Sequence, residues 1–281
     1  MANVLITGTS SGFGYLTALE FARKGDHVFA TMRNLEKSAQ LKESAASEKL
    51  PISFLRLDLL DDRSIQTAVR QAEADAGPID VLVNNAAMAL RSSIEDASED
   101  EVRKQFETNL FGTLRVIKHV LPGMRERRFG TIVNLSSISG IVSVPYDGYY
   151  AATKHAIEAI SEAMHYEVRQ FGVRVVIIEP GGFPTELRNN AFQAAKADES
   201  SAYHKNAQRF EKANESRLRA PEGVRQDPAD VARAIYDAVR DETPKLRYVV
   251  GRDAQLIAAV RKQLDFEGFE QAMRQTLDWH E

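Results

Sequence analysis

The sequence predicts an α/β fold: a doubly wound parallel sheet sandwiched by helices in three layers. Three observations carry that expectation. Short β-rich apolar runs alternate with longer helical patterns along most of the 281 residues. The runs are mostly continuous rather than alternating apolar and polar, as befits strands covered on both faces. The first run leads through a glycine turn directly into a helix, an arrangement that places phosphate-binding backbone at the head of such a sheet.

The candidate strands cover residues 4–7, 27–31, 52–57, 81–84, 131–135 and 173–178, with a late one at 247–250. The stretch "VLITGTSSGFGYLTALEFA" is strand, turn and helix, and Gly8, Gly12 and Gly14 would let the chain turn tightly against a pyrophosphate at a helix N-terminus. Val102, Phe106, Leu110, Leu114, Ile117 and Leu121 recur at spacings of three and four and predict one long amphipathic helix. Ile157, Ile160, Met164, Val168 and Phe171 do the same for the helix after "GYYAATKHA". Between 186 and 226 the rhythm breaks. That stretch is polar, offers no strand, and has only a modest helical face at Tyr203, Ala207 and Phe210, so it reads as a helical lid or insertion. Residues 247–281 form a C-terminal extension, expected to pack on the sheet edge or on a partner subunit. With no internal repeat and no linker, the whole of 1–281 reads as a single dinucleotide-binding catalytic domain.

Composition narrows the function. Apolar residues make up 43% and charged residues 27%, and the net charge of −4 gives no basic excess, so nucleic acid is not an expected partner. Cysteine is absent and the six histidines are scattered, which argues against a metal site. The N-terminal "MANVLITG" lacks the regions of a secretory leader, and no apolar stretch approaches the ~20 residues that span a bilayer. A soluble, cytoplasmic protein without membrane attachment is the expectation.

The second strand ends "FATMRN", where dinucleotide folds that prefer NAD place a carboxylate on the ribose. Met32 stands there instead, and Arg33 follows. A 2′-phosphate would find Arg33 as a partner and no carboxylate to repel it, with the Ser11 hydroxyl close by in the turn; NADP is therefore expected in preference to NAD. In "YYAATK", only Tyr150 has a lysine four residues on, Lys154, so the phenol and the ammonium share one helix face. A tyrosine titrates near 10 unaided, and a neighbouring positive charge favours its phenolate, bringing it toward a working range for acid/base chemistry.

These motifs together resemble the short-chain dehydrogenase/reductase family, in its single-domain branch with hydroxysteroid and retinol dehydrogenases. The resemblance runs over nearly the whole chain. It includes Thr7 with Gly-x-x-x-Gly-x-Gly, "NNAA" at 84–87 with Ala87 in place of the family's glycine, Asn109 in "ETNLFG", "NLSSISG" before the tyrosine, and "EPGGFPT" at 179–185. It implies a Rossmann fold and a catalytic set of Asn109, Ser137, Tyr150 and Lys154. In that set Tyr150 is the acid/base, Ser137 a hydrogen-bond donor to the substrate oxygen, Lys154 a holder of the nicotinamide ribose, and Asn109 the residue that keeps a water beside the lysine. Ser136 and Ser139 are rivals for the serine role, and spacing to Tyr150 favours Ser137.

The resemblance also implies where NADP(H) would lie. The turn would supply Thr7, Gly8, Ser10, Ser11, Gly12, Phe13 and Gly14. Beyond Arg33, the adenine side would add Asp58 and Leu59, and the fourth strand Asn84 and Ala86. Pro180, Gly181, Phe183 and Thr185 would reach the nicotinamide. For the substrate, Ser137, Val144, Tyr150, Leu187 and Phe192 suggest an apolar pocket, with no arginine pair to clamp a carboxylate or phosphate. The expected reaction interconverts a hydrophobic ketone and a secondary alcohol. In the family, helices 99–121 and 149–171 commonly build a dimer interface, which implies a homodimer or homotetramer. Two rival readings are a non-catalytic NADP-binding scaffold, against which the intact Ser137, Tyr150 and Lys154 argue, and a sugar-nucleotide epimerase, whose Gly-x-x-Gly-x-x-Gly turn and longer substrate domain are missing.

Overall fold

A computed structural model describes residues 1–189, 191–216 and 226–279. Seven parallel strands form its central sheet: β1 Asn3–Thr7, β2 His27–Met32, β3 Ile52–Arg56, β4 Val81–Asn84, β6 Gly130–Leu135, β7 Val173–Pro180 and β9 Arg247–Val250, in the spatial order β3-β2-β1-β4-β6-β7-β9. β5 Leu90–Arg91 and β8 Phe192–Gln193 make a separate two-stranded pair. That pair corrects the expectation of a strandless 186–226; two residues are too few to carry a hydrophobic period. The strand order reverses between β1 and β4, which opens a crevice at their C-terminal ends.

The continuous apolar runs have a direct cause. Val4 and Ile6 of β1, with Val28, Ala30, Val83, Val133, Val176 and Ile178, pack under helices α1 Gly12–Arg23 and α9 Ala229–Arg240. Leu5 of the same strand, with Phe29, Leu82, Ile132 and Val175, faces helices α3 Asp62–Ala76, α5 Thr113–Arg127 and α6 Gly148–Arg169. Successive side chains point to opposite faces, so two covered faces require apolar residues at every position. The short helix α2 Ala39–Glu48 completes the first layer through Leu41.

The predicted long helix departs from expectation. It runs as α4 Glu99–Phe106, a π-helical turn Glu107–Gly112, and α5. The turn's wider winding shifts the buried face: Gln105, Asn109, Thr113, Val116, Val120 and Met124 point inward with Leu110 and Ile117 of the predicted set, while Val102, Phe106, Leu114 and Leu121 are only half-buried. Polar residues lead that buried seam, so apolar spacing found only part of it. Gly112 makes the close approach possible, since a Cβ there would lie 2.6 Å from the Leu59 side chain.

The remaining helices are α7 Glu186–Asn189, α8 His204–Asn214, α10 Arg252–Gln263 and α11 Phe266–Leu277. Phe210 of α8 and Leu277 of α11 are buried together against Val144, Tyr146, Met273 and Trp279. The C-terminal extension thus packs over the crevice with part of the predicted lid, and residues 190 and 217–225 of that lid lie outside the described residues.

Candidate active site

At the switch point between β1 and β4 the chain is clamped by side chains. The Thr7 hydroxyl accepts hydrogen bonds from the backbone N–H groups of Asn85 and Ala86, both at 3.0 Å. Asn85 returns its amide to the carbonyls of Thr7 (2.8 Å) and Gly8 (2.9 Å). Gly8 and Gly12 have φ of 73° and 59°, backbone that glycine adopts without strain. Gly14 is required by contact instead: a Cβ would lie 2.3 Å from the Gly8 carbonyl oxygen. Ser11 occupies the N-cap of α1, and its side chain caps nothing, so the first-turn N–H groups of a twelve-residue helix have no side-chain acceptor there. Ala87 is not among the residues with positive φ, so its methyl brings no backbone strain.

A cavity of about 570 Å³ runs from this turn across the strand ends. Of the predicted cofactor residues, Gly8, Ser10, Ser11, Gly12, Phe13, Arg33, Ala86, Pro180, Gly181, Phe183 and Thr185 line it together with Tyr150 and Lys154. Thr7, Gly14 and Asn84 sit behind the lining: Thr7 in the clamp, Gly14 against Gly8, and Asn84 donating to Asn134 Oδ1 at 2.8 Å. Asp58 and Leu59 are also outside the lining; Asp58 accepts from the Leu60 N–H at 3.1 Å, and the Leu59 carbonyl accepts from Arg115. Phe13 and Phe183 meet edge to face, ring centroids 5.6 Å apart, and join the glycine turn to the segment after β7. The cradle fits a dinucleotide: open backbone donors at a helix N-terminus, glycines where a side chain would fill the floor, and a cationic end.

That end holds a residue the sequence reading missed. Lys37 lines the cavity with Arg33, and neither forms an ion pair with any described residue. Asp253, on the first turn of α10, was missed as well. Its carboxylate accepts from the Gly182 N–H at 2.6 Å and from Gln226 at 2.9 Å, tying the C-terminal extension to the "EPGGFPT" segment.

The reacting end is built on β6, α6 and the loop between them. Tyr150 is buried and lines the cavity, and the Lys154 ammonium lies 5.6 Å from its ring centroid. Tyr149, its neighbour, points elsewhere and donates to the Ile94 carbonyl. Lys154 is 4% exposed and donates to the Leu135 carbonyl at 2.7 Å. Burial pulls its pKa down to about 8, opposed by the charge of Glu158. The serines separate by their partners. Ser139 donates to Asp147, and the buried Ser136 hydroxyl has no partner among the described residues. The Ser137 hydroxyl accepts from the Ser139 N–H at 3.1 Å, which leaves its own hydrogen to donate into the cavity. Asn109 braces the site from the π-helical turn: its amide accepts from Met88 N–H, donates to the Met88 carbonyl at 2.8 Å, and reaches Thr153 at 3.1 Å.

On the substrate side, Val144 and Leu187 line the cavity with Met88, Val142, Ile257 and Met273. Phe192 does not line it; the residue is 41% exposed on β8, under the Lys104 ammonium. Arg91 also lines the wall, paired with Glu211 at 2.7 Å.

Comparison with known proteins follows the same lines. The family model described as short chain dehydrogenase matches residues 2–196. An uncharacterised oxidoreductase of Bacillus subtilis, YusZ, is 37% identical over 97% of each chain. The 3-ketodihydrosphingosine reductase of Bacteroides thetaiotaomicron is 35% identical over 92% of this chain and 91% of its own. Human retinol dehydrogenase 8 is also 35% identical, over 87% of this chain and 79% of its own. Among solved structures, a short-chain dehydrogenase from Streptomyces avermitilis superposes with a TM-score of 0.81 at 34% identity, covering 98% of each chain. ElxO with NADP bound gives 0.73 at 28% identity, covering 89% of this chain and 96% of its own.

Proposed function

The chain belongs to the short-chain dehydrogenase family, and on that premise we propose that it is an NADP(H)-dependent oxidoreductase interconverting a hydrophobic ketone and its secondary alcohol. The observation that carries the reading is the juxtaposition in one cavity of Tyr150, Lys154 and Ser137 with the open glycine turn. NADPH, when bound, supplies the hydride. The protein's part is proton handling and charge. In reduction, Tyr150 gives its phenolic proton to the carbonyl oxygen while Ser137 donates a hydrogen bond to that oxygen. The phenolate left behind is stabilised by the Lys154 ammonium. In oxidation the same phenolate takes the hydroxyl proton. Asn109 holds Met88 and Thr153 in register with this group, and a water kept beside Lys154 remains part of the family-based expectation.

Arg33 and Lys37, with Met32 where a carboxylate would reject a phosphate, support NADP over NAD. ElxO, crystallised with NADP, agrees. The apolar wall of Met88, Val142, Val144, Leu187, Ile257 and Met273 favours a hydrophobic substrate, and retinol and a ketosphingoid base, in the relatives' names, are of that class. Phe111 and Tyr166, 48% and 72% exposed on the helical turn at 107–112 and on α6, suit a homodimer or homotetramer built on those helices. No helix among the described residues is long and apolar enough to cross a membrane, in keeping with a cytoplasmic enzyme.

The test is a screen of hydrophobic ketones and secondary alcohols against both cofactors, following the absorbance of the reduced nicotinamide. Turnover with NADPH or NADP is expected. Tight NADPH binding with no turnover of any carbonyl or alcohol would instead favour a non-catalytic NADP-binding scaffold.

A further inference from the structure

Behind the reacting end lies a cluster of buried charge that the mechanism above does not use. Lys154 is an almost wholly buried ammonium whose one hydrogen bond among the described residues goes to a neutral carbonyl, that of Leu135. An ammonium taken out of water without an opposite charge gives up its proton rather than bear the desolvation. One helical turn further along α6, on the same face, stands Glu158, itself 7% exposed. From β7, Glu179 enters the same space and is 1% exposed. From β9, Arg247 meets both, its Nε lying 2.9 Å from Glu158 Oε2 and 3.7 Å from Glu179 Oε1. On the outer side Arg247 also binds Glu162 of α6 at 2.6 Å.

Two features distinguish the carboxyls. Each has one buried oxygen, Oε1, with no hydrogen-bond partner among the described residues, so a charge on both would leave two desolvated carboxylates served by one guanidinium. Arg247 makes its close contact with Glu158 and its distant one with Glu179. Glu179 is accordingly the one that keeps a proton: burial, followed by the nearby Glu158, raises its pKa to about 8. Gly140 keeps this space tight, since a Cβ there would lie 3.2 Å from Glu158 Oε1 and 2.4 Å from the unpartnered Ser136 hydroxyl.

We propose that Glu158 is a positioning residue for the reaction, the countercharge that keeps Lys154 an ammonium in its buried setting, with Arg247 fixing Glu158 and a neutral Glu179 completing the cluster. Glu158 acts on Tyr150 only through Lys154. The charged and titratable groups bearing on it are Lys154 and Glu162 from its own helix, Glu179 from β7 and Arg247 from β9. Sequence patterning conceals this role, because a glutamate one turn after the lysine reads as an ordinary solvated helix position.

The inference rests on the Tyr150–Lys154 reading and is separable from it by experiment. In Glu158→Gln the lysine loses its countercharge and releases its proton at lower pH; the phenolate is then less favoured, and the rise of alcohol oxidation with pH moves upward by about one unit. Below the midpoint that is about tenfold slower turnover at a fixed pH. Glu158→Asp keeps the charge and restores the profile in part. Glu162→Gln, which removes only an outer carboxylate, leaves the profile in place. A second readout needs neither cofactor nor turnover. In protein labelled with ¹⁵N-lysine, the Lys154 Nζ resonance (assigned by its loss in Lys154→Met) should be that of an ammonium at pH 7, and its titration midpoint should fall in Glu158→Gln. A profile and a midpoint unchanged in Glu158→Gln would overturn the proposal, as would a neutral Lys154 amine in the wild-type protein at pH 7. Absence of turnover in the wild-type protein would count against the enzymatic reading instead, while the lysine titration would still decide this one.

Discussion

Gly14→Ala probes the coupling between the glycine turn and the rest of the site. The added methyl would stand 2.3 Å from the Gly8 carbonyl oxygen and 2.4 Å from Asn85 Nδ2. Ordinary contact requires over an ångström more, and the obstructing atoms are backbone and a side chain held by two hydrogen bonds, of 2.8 and 2.9 Å. Relief therefore means pushing α1 off β1 or breaking the Asn85 clamp. Overpacking costs about 1–3 kcal/mol and each clamp bond about 1 kcal/mol, so a loss of about 2–4 kcal/mol is expected. Thermal denaturation should show it as a fall of roughly 3–7 °C in Tm for a chain of this size. Because the same displacement moves the N-terminus of α1, NADPH affinity should drop at least tenfold in a fluorescence titration. Gly25→Ala is the control: φ there is 87°, but nothing lies within 4 Å, so only a backbone cost of about 1 kcal/mol applies and NADPH binding stays intact. A Gly14→Ala protein that binds NADPH as the parent does would refute the argument that this turn and the Asn85 clamp jointly form the cofactor floor.

Three other outcomes are expected. Arg33→Ala and Lys37→Ala should each lower the ratio of NADP to NAD efficiency by about tenfold, measured as kcat/KM with both cofactors; an unchanged ratio in the double variant would remove the phosphate assignment. Asp253→Ala strips the acceptor from the Gly182 N–H and Gln226, and should raise KM for NADPH by roughly tenfold through the segment after β7, with a Tm loss corresponding to about 1–3 kcal/mol. Glu179 is an acid whose folded pKa, about 8, lies above its unfolded value, so the stability it contributes is complete in the acid range and declines as pH rises through about 8. Glu179→Gln, which cannot ionise, should therefore gain stability relative to the parent as the pH is raised from about 4.5 to 8 in denaturant titrations, and a constant difference across that range would contradict the raised pKa.

Much of the fold was legible because two-sided burial writes itself into the strands: Val4, Leu5 and Ile6 are all apolar because consecutive residues face different helical layers. The glycine turn and the Tyr150–Lys154 pair were legible because fixed spacings carry them. What escaped has equally physical reasons. The π-helical turn at 107–112 was not legible as such, since the residues turned inward around it include the polar Gln105 and Asn109 beside the predicted Leu110. Lys37 and Asp253 come to the cavity from segments far apart in sequence, and no spacing rule links either to the glycine turn. Phe192 was expected at the substrate on hydrophobicity alone, yet its short strand turns it outward beside Lys104. The C-terminal extension could be read as an edge or partner contact; its packing of Leu277 and Met273 against Phe210 brings it over the cavity instead.

The measurement that bears most directly on the whole account is Tyr150→Phe, assayed for turnover and for NADPH binding on the same preparation. Removal of one hydroxyl from a buried ring should abolish detectable oxidation and reduction while NADPH titrates within about threefold of the parent value. Persisting turnover at a comparable rate would mean that some other group moves the proton, and the assignment of the chemistry to this phenol and its lysine would be wrong.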